Sequence, residues 1–540
     1  MAPAAAASRK MESGTEPSLW GDFFITYEQK PLQRSEDWMR VRADKLKDDI
    51  RKLYQTCNSV MEKMTLVDVV QHLAISHLFE EETNIALKEI SESEFTSSNI
   101  HEVALWFRLL RGNGYWVSPD VFNKFKDHNG FFNKDIHNEP RGLLSLYNAA
   151  HLLTHGEPTL EEAITFSRHR LESMTCLKSP LAQQVQRALH LPLPRTCKRV
   201  EALHYILEYK QEQGYNPILL ELAKLEFNLL QHVHLEELKA ISKWWKDMSA
   251  DIELSYVRDR VVEVYLWACL VFYEEGFELT RNMLTKSYKL ITIIDDTYDK
   301  HATIEECRKL YEATKRWDEN SVSILPEYLK KFYSQMLGIF KEMEAETSIN
   351  GNNEISYLRR QLQTQFSCYI QEAEWVHQKY SPSFEEQVNM STVTIGVKIA
   401  CVGFVIGMGD ALPKEALGWA HGVPDVVMAC AKIARFTNDI ASFKRGKSKG
   451  DIASSVECYM NENNVTRDVA MARMGSLMEG EWRTLNQARF ADRAMLPLVQ
   501  RIFEFATTML VFYDRGNEGF SNSGHMQNTI ESFFVNPIPM

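Results

Sequence analysis

Apolar residues recur along this chain at three- and four-residue spacing. Val60, Met61, Met64, Val67, Val70, Leu73 and Ala74 mark one face of an amphipathic helix, and Val103 through Leu110 repeats the pattern before the glycine-flanked turn Arg111-Gly112-Asn113-Gly114. Strand-like alternation is scarce and β-branched residues are dispersed, so the pattern predicts an all-α fold. Punctuation falls at Leu191-Pro192-Leu193-Pro194, Gly214-Tyr215-Asn216-Pro217, Ile349-Asn350-Gly351-Asn352-Asn353 and Tyr380-Ser381-Pro382-Ser383. Pro217 is placed to open a long helix with the stripe Leu220, Ala223, Phe227, Leu230 and with Trp244 and Trp245 beyond, and a change of domain is expected there. The longest apolar stretch, Val393 to Met408, is interrupted by Lys398 and falls short of the ~20 residues that span a bilayer. It reads as a buried helix pair containing a break, and no membrane span is expected.

With 540 residues and 44% hydrophobic content the chain can bury more than one core. Either several domains of roughly 150 residues or two large helical ones would fit. The net charge of −12 is spread along the sequence without a basic block. That argues against nucleic acid or an anionic membrane surface as partner, because phosphate affinity there comes from Lys and Arg. Nine cysteines at irregular spacings form no CxxC pair, which favours a reducing compartment. The Ala-rich residues 1–16 lack the features of a secretory signal and are expected to be disordered up to Pro17-Ser18-Leu19-Trp20.

The sharpest local chemistry is Asp295-Asp296-Thr297-Tyr298-Asp299, at the end of an apolar run starting near Met283. On a helix Asp295 and Asp299 share a face, so carboxylates enter a buried side, where a hard divalent ion such as magnesium would relieve their repulsion. Alone, this pentad is better explained as a solvated helix end. Arg258-Asp259-Arg260 precedes it, and paired guanidiniums suit the capture of phosphate oxygens, although a surface ion pair would look the same. Downstream, Arg435, Asn438 and Ser442 fall at helical spacing and put a carboxamide and a hydroxyl on one face as hard oxygen ligands.

In this order and at these separations the three elements resemble the class I terpene synthases of plants. The likeness extends along nearly the whole chain, through Pro17-Ser18-Leu19-Trp20-Gly21-Asp22, Arg141-Gly142-Leu143-Leu144-Ser145-Leu146-Tyr147, Trp244-Trp245-Lys246-Asp247 and Val456-Glu457-Cys458-Tyr459-Met460. The resemblance implies a two-domain all-α architecture: an N-terminal helical domain over residues 17–222 and a C-terminal metal-binding catalytic domain over 223–540. It implies three magnesium ions, with manganese as a substitute, held by Asp295, Asp296, Asp299, Asn438 and Ser442. Arg258, Arg260 and Arg435 would grip the departing diphosphate, and Trp267 and Tyr513 would line the cavity that confines the allylic cation.

The sequence also departs from that pattern. Gly446 stands where the second metal motif expects glutamate, with Asp451, five residues on, as a candidate local replacement, and Glu518 and Phe520 stand where an Asp and a Tyr often follow the last cavity helix. The DxDD motif of protonation-initiated cyclases is not found, and Trp20 lies close to the start; with the resemblance, these lead to the expectation of a cytosolic enzyme acting on farnesyl diphosphate, a monomer as the family implies. The implied activity is that of a sesquiterpene synthase. The alternatives are a monoterpene or acyclic alcohol synthase using geranyl or farnesyl diphosphate, and a non-catalytic prenyl-diphosphate-binding protein that has lost a metal ligand at Gly446.

Overall fold

The computed structural model describes residues 17–28, 34–133, 136, 139–347, 354–445 and 453–540. The expected disordered start at 1–16, the punctuation around Gly351, and Gly446 and Asp451 lie outside the described residues. Among those described, helices dominate, and the one departure toward β structure is an isolated bridge between Lys126 and Phe132.

The helices begin where their capping residues place them. α1 (Glu36–Thr56) starts at Ser35, and α2 (Val60–His72) starts at a capping box in which Ser59 and Glu62 satisfy each other's free amides. α3 (Ile100–Gly112) and α4 (Pro140–Ala150) pack together in the N-terminal half. α5 (Pro217–Ile252) is capped by the Asn216 side chain, which accepts from Ile218 N at 2.9 Å, and Pro217 occupies the first turn, where no amide is needed. The domain change expected after residue 222 therefore falls inside one continuous helix. Leu219 to Leu229 of α5 join a core with Met39, Leu46, Val70 and Phe79, whereas Leu235 to Ile252 join the large C-terminal core.

The chain ends reinforce this sharing. Trp20 and Phe24 are buried in the C-terminal core, while Ile538 reaches back to the N-terminal one, where its main chain exchanges hydrogen bonds of 2.8 and 2.9 Å with the Asn228 amide.

The C-terminal half wraps α6 (Val261–Val271), α7 (Glu278–Asp296), α8 (Ile355–Gln378), α9 (Phe384–Thr394), α10 (Val397–Met408), α11 (Asp425–Arg445), α12 (Arg467–Ala488) and α13 (Leu496–Phe512) around one interior. The break expected near Thr394 is present: Gly396 adopts φ +83, a left-handed conformation that favours glycine, and α10 restarts from it. At Gly407 a Cβ would lie 2.2 Å from Thr280 Oγ1, so the glycine lets α10 close on α7. By length and composition the run Phe384–Ala411 could cross a membrane, but 72% of its most apolar window is buried inside the protein, as in a core helix.

Candidate active site

Regular α geometry stops at Asp296, and Thr297–His301 continues as a single π turn that ends with Ala302 N donating to Thr297 O at 2.9 Å. Asp295 and Asp299 therefore do not share the face of a straight helix, as the spacing alone predicts. The wider turn re-aims Asp299, and such turns recur at functional sites. Asp295 is partly exposed, Asp296 is fully buried and Asp299 is exposed.

The three aspartates meet different partners. Asp296 accepts from Arg258 N at 2.8 Å, from Arg258 Nε at 2.9 Å and from Lys300 Nζ at 2.9 Å. Burial works against its charge, but Arg258 and Lys300 prevail and hold the carboxyl below its ordinary range. Its oxygens are thus engaged with cations of the chain itself. Arg258 also pairs through Nη2 with Asp295 and packs its guanidinium over the Phe520 ring, 5.1 Å from the centroid. Asp299 makes no ion pair with a cation among the described residues. The crowding of protein around its carboxyl, followed by the Asp295 and Glu372 carboxylates, pushes it well above the usual range, and Arg258 offsets only part of the shift.

Glu372, on α8, completes this acidic group and was not singled out by the sequence. Burial, together with Asp295, raises it to about 8, although Arg435 opposes the shift, and Thr394 Oγ1 donates to it at 3.4 Å. Its only signal in the sequence is a glutamate at helical spacing on the face of α8 that carries Phe366 and Tyr369, a face that also holds Gln361 and Gln365.

α11 supplies the opposite wall. Arg435 donates through Nη1 to Asn438 Oδ1 and Asp439 Oδ1, each at 3.1 Å, and through Nε to the Ser391 carbonyl at 3.2 Å. Asp439 in turn accepts from Ser455 N at 2.8 Å, so it anchors the start of the following helix. Asn438 and Ser442 are partly exposed one turn apart, and the Asn438 side chain hydrogen-bonds the Tyr513 hydroxyl. Arg260 is less accessible than its sequence context implies. It is fully buried and donates to the Phe520, Ser521 and Asp259 carbonyls at 2.7 to 2.8 Å, fastening the C-terminal loop to the start of α6.

The residues present fit magnesium. Among the described residues no three acidic, His or Cys side chains converge to cage an ion by themselves. Instead, the donors on offer are the carboxyl groups of Asp295, Asp299 and Glu372 and, on α11, the neutral oxygens of Asn438 and Ser442. This donor set suits a hard ion that keeps waters and substrate phosphates in its shell.

Beneath the acidic rim lies an aromatic wall. Trp267 of α6 stacks on Phe512 at 4.2 Å between centroids and 14° between planes, with Tyr288, Phe505, Tyr513 and Phe520 within 6.5 Å of it. Trp267, Tyr288 and Phe520 remain partly exposed although helices surround them, which marks them as lining an interior cleft. At the helix break the Thr394 carbonyl is taken by Gln365 and Tyr369, at 2.9 and 3.2 Å, and the Gly396 carbonyl by the Tyr288 hydroxyl at 3.3 Å. The break therefore does not leave those two carbonyls free.

Residues 19–189 match the family model for the terpene synthase N-terminal domain, and residues 246–484 match that for the terpene synthase metal-binding domain. A tau-cadinol synthase from Zea mays is 48% identical to the chain over 97% of each protein. The chain belongs to the terpene synthase family. An alpha-copaene synthase from Zea mays is 46% identical over 97% of this chain and 99% of that protein. Among solved structures, isoprene synthase from grey poplar (Populus x canescens), in complex with three Mg2+ ions and dimethylallyl-S-thiolodiphosphate, superposes with a TM-score of 0.86 at 28% identity, covering 93% of this chain and 98% of that one. For this terpene synthase, then, dependence on divalent metal and action on a prenyl diphosphate follow from the family.

Proposed function

We propose that this terpene synthase is a sesquiterpene synthase that ionises farnesyl diphosphate, guides the resulting cation through cyclisation and rearrangement, and ends the reaction by proton loss or water capture. One observation carries the reading: on α7 Asp295 stands two turns after Tyr288, which stacks on Trp267, so the acidic group of Asp295, Asp299 and Glu372 and the aromatic wall share one helix. The relatives named for tau-cadinol and alpha-copaene, both fifteen-carbon products, support the choice of substrate length.

Asp295, Asp299 and Glu372 on one side and Asn438 and Ser442 on the other would hold magnesium, three ions by analogy with the poplar structure and replaceable by manganese. When bound, the metal supplies Lewis-acid stabilisation of the charge that develops on the leaving diphosphate. Asp296 positions Arg258. The guanidiniums of Arg258 and Arg435 donate to the diphosphate oxygens as the allylic C–O bond breaks, and Arg260 acts indirectly by holding the 520–521 loop against them. The Trp267 face attracts the allylic cation through its quadrupole, and the rings of Tyr288, Phe512 and Tyr513 keep water away until the final quench.

We assign residues 17–222 a scaffolding role and residues 223–540 the chemistry. A monomer in the cytosol is the proposed working state; all nine cysteines are unpaired, which fits a reducing compartment. The test is incubation of purified protein with geranyl, farnesyl and geranylgeranyl diphosphate and magnesium or manganese, with hexane-extractable products identified by mass spectrometry. Fifteen-carbon hydrocarbons or alcohols are expected from farnesyl diphosphate. Faster turnover of geranyl diphosphate overturns the substrate assignment, and absence of any volatile at every metal level supports a binding protein instead.

A further inference from the structure

Lys289 is fully buried on α7, and among the described residues no carboxylate lies within ion-pair distance of it. A lone ammonium in a protein interior is costly unless something specific holds it there. Its two close partners are the main-chain carbonyl of Arg258, to which Nζ donates at 2.9 Å, and the face of Trp245, with Nζ 3.7 Å from the ring centroid. Trp245 then donates through Nε1 to Asp259 Oδ1 at 2.8 Å.

Asp296 stands seven residues after Lys289, two turns along the same face of α7, and takes the Arg258 amide at 2.8 Å. Both main-chain polar groups of Arg258 are thus held by charged side chains of one helix. Its neighbours are fixed as well, Asp259 by Trp245 and Arg260 by the Phe520 and Ser521 carbonyls. The backbone of the turn is pinned, while the Arg258 guanidinium rests on the same carboxylates that would receive metal. For this residue to change partners from Asp295 to an incoming diphosphate, its Cα must stay in place while the side chain reorients.

We infer that Lys289, seated on Trp245, is a positioning residue that fixes the main chain of Arg258 so that its guanidinium can exchange carboxylate for diphosphate. The inference rests on the proposed role of Arg258 as a diphosphate ligand. It assigns Lys289 to substrate capture and not to steering of the cation, because its ammonium touches the Arg258 carbonyl and the Trp245 ring, not the rings gathered around Trp267.

The experiment compares Lys289→Met, of similar length and uncharged, with wild type and with Arg258→Gln. It measures KM and kcat for farnesyl diphosphate, the dissociation constant of inorganic pyrophosphate in the presence of magnesium by calorimetry, and the melting temperature. Lys289→Met is expected to raise KM and the pyrophosphate dissociation constant together by about tenfold, the loss of one charge-assisted hydrogen bond's worth of order, with kcat moving less than threefold. A lysine with a merely structural role would lower the melting temperature and leave KM and pyrophosphate binding within twofold of wild type, and that result overturns the inference. If Lys289→Met does not fold, Trp245→Phe keeps the ring under the ammonium, loses the bond to Asp259 and is expected to raise the same two constants; no change in either overturns the inference equally. Unaltered pyrophosphate binding in Arg258→Gln would instead refute the underlying role of Arg258.

Discussion

The indole Nε1 of Trp267 donates to Thr508 Oγ1 at 2.5 Å, and the same hydroxyl donates to the Phe505 carbonyl at 2.6 Å. One side chain on α13 therefore sets the rotation of the ring proposed to face the cation. Thr508→Val keeps the shape but leaves the buried indole N–H without an acceptor, a change of about 1 kcal/mol in the ring's preferred orientation. Because ~1.4 kcal/mol is a tenfold ratio between competing pathways, the product ratio is expected to shift severalfold while total turnover stays within the same order. Thr508→Ser, which retains the hydroxyl, should restore the wild-type ratio. Gas chromatography of the two variants decides it, and identical spectra would remove Thr508 from the account.

Asp295 touches Arg258 and also raises Asp299 and Glu372 through charge repulsion. Asp295→Ala is expected to reduce turnover by about 10²–10³-fold or more, on the scale of losing one preorganised electrostatic contact, without loss of folded protein by circular dichroism. Retained product formation would defeat the site assignment.

Glu372→Gln preserves the acceptor for Thr394 Oγ1 and removes the negative charge that Glu372, raised to about 8, acquires when a cation takes the place of its proton. The magnesium concentration for half-maximal rate should rise roughly tenfold, in the range seen when groups around a metal site are altered. KM for substrate at saturating magnesium should change much less. A magnesium titration of initial rates separates the two.

Gly446 lies four residues beyond Ser442, at the position where the family's second metal motif carries a glutamate. Gly446→Glu is expected to lower the magnesium requirement, and an unchanged requirement would count against a weakened third metal site.

The helical architecture was legible because it rests on periodicity and punctuation: Asn216-Pro217 starts α5, and the apolar run to Met408 breaks at Gly396 as its composition suggests. The aspartates and α11 donors were legible because they are charged or polar residues at fixed short spacing. What was not legible depends on pairing between distant segments. Spacing could not show that a π turn re-aims Asp299, that Arg258 and Lys300 engage Asp296, or that Arg260 is consumed by the 520–521 loop. Glu372 sits between Gln371 and Glu374, and Lys289 follows Lys286 and Ser287, so nothing local sets either apart, and only the packing of α8 and α7 gives them partners. The domain boundary was hard to place for a similar reason: α5 serves two cores, so no change of composition marks the crossing.

Acid should loosen the contact between the two halves of the molecule. His151 is buried beside Arg195 and Glu479, with Nδ1 at 2.8 Å from the Tyr147 carbonyl, and its own carbonyl accepts from Asn486 of α12 at 3.0 Å. Burial, then Arg195, lowers its pKa to about 3, and burial with Arg281 and Arg199 holds the enclosed His234 well below its ordinary 6.5. The fold therefore favours neutral imidazoles. Their stabilisation is fully present above pH 6.5 and is lost as pH falls from 6.5 toward the folded values, by about 1.4 kcal/mol per pH unit for each ring. Carboxylates with lowered pKa remain ionised until lower pH, but Glu372, raised to about 8, and Asp299 and Glu263, raised mainly by burial, act with the opposite sign between pH 6.5 and 5. The histidine contribution is therefore read as a difference between proteins. His151→Asn, whose amide can still donate to Tyr147 O, is expected to lose less melting temperature than wild type as pH falls from 6.5 to 5, and the same pH dependence in both would show that His151 does not resist protonation in the folded state.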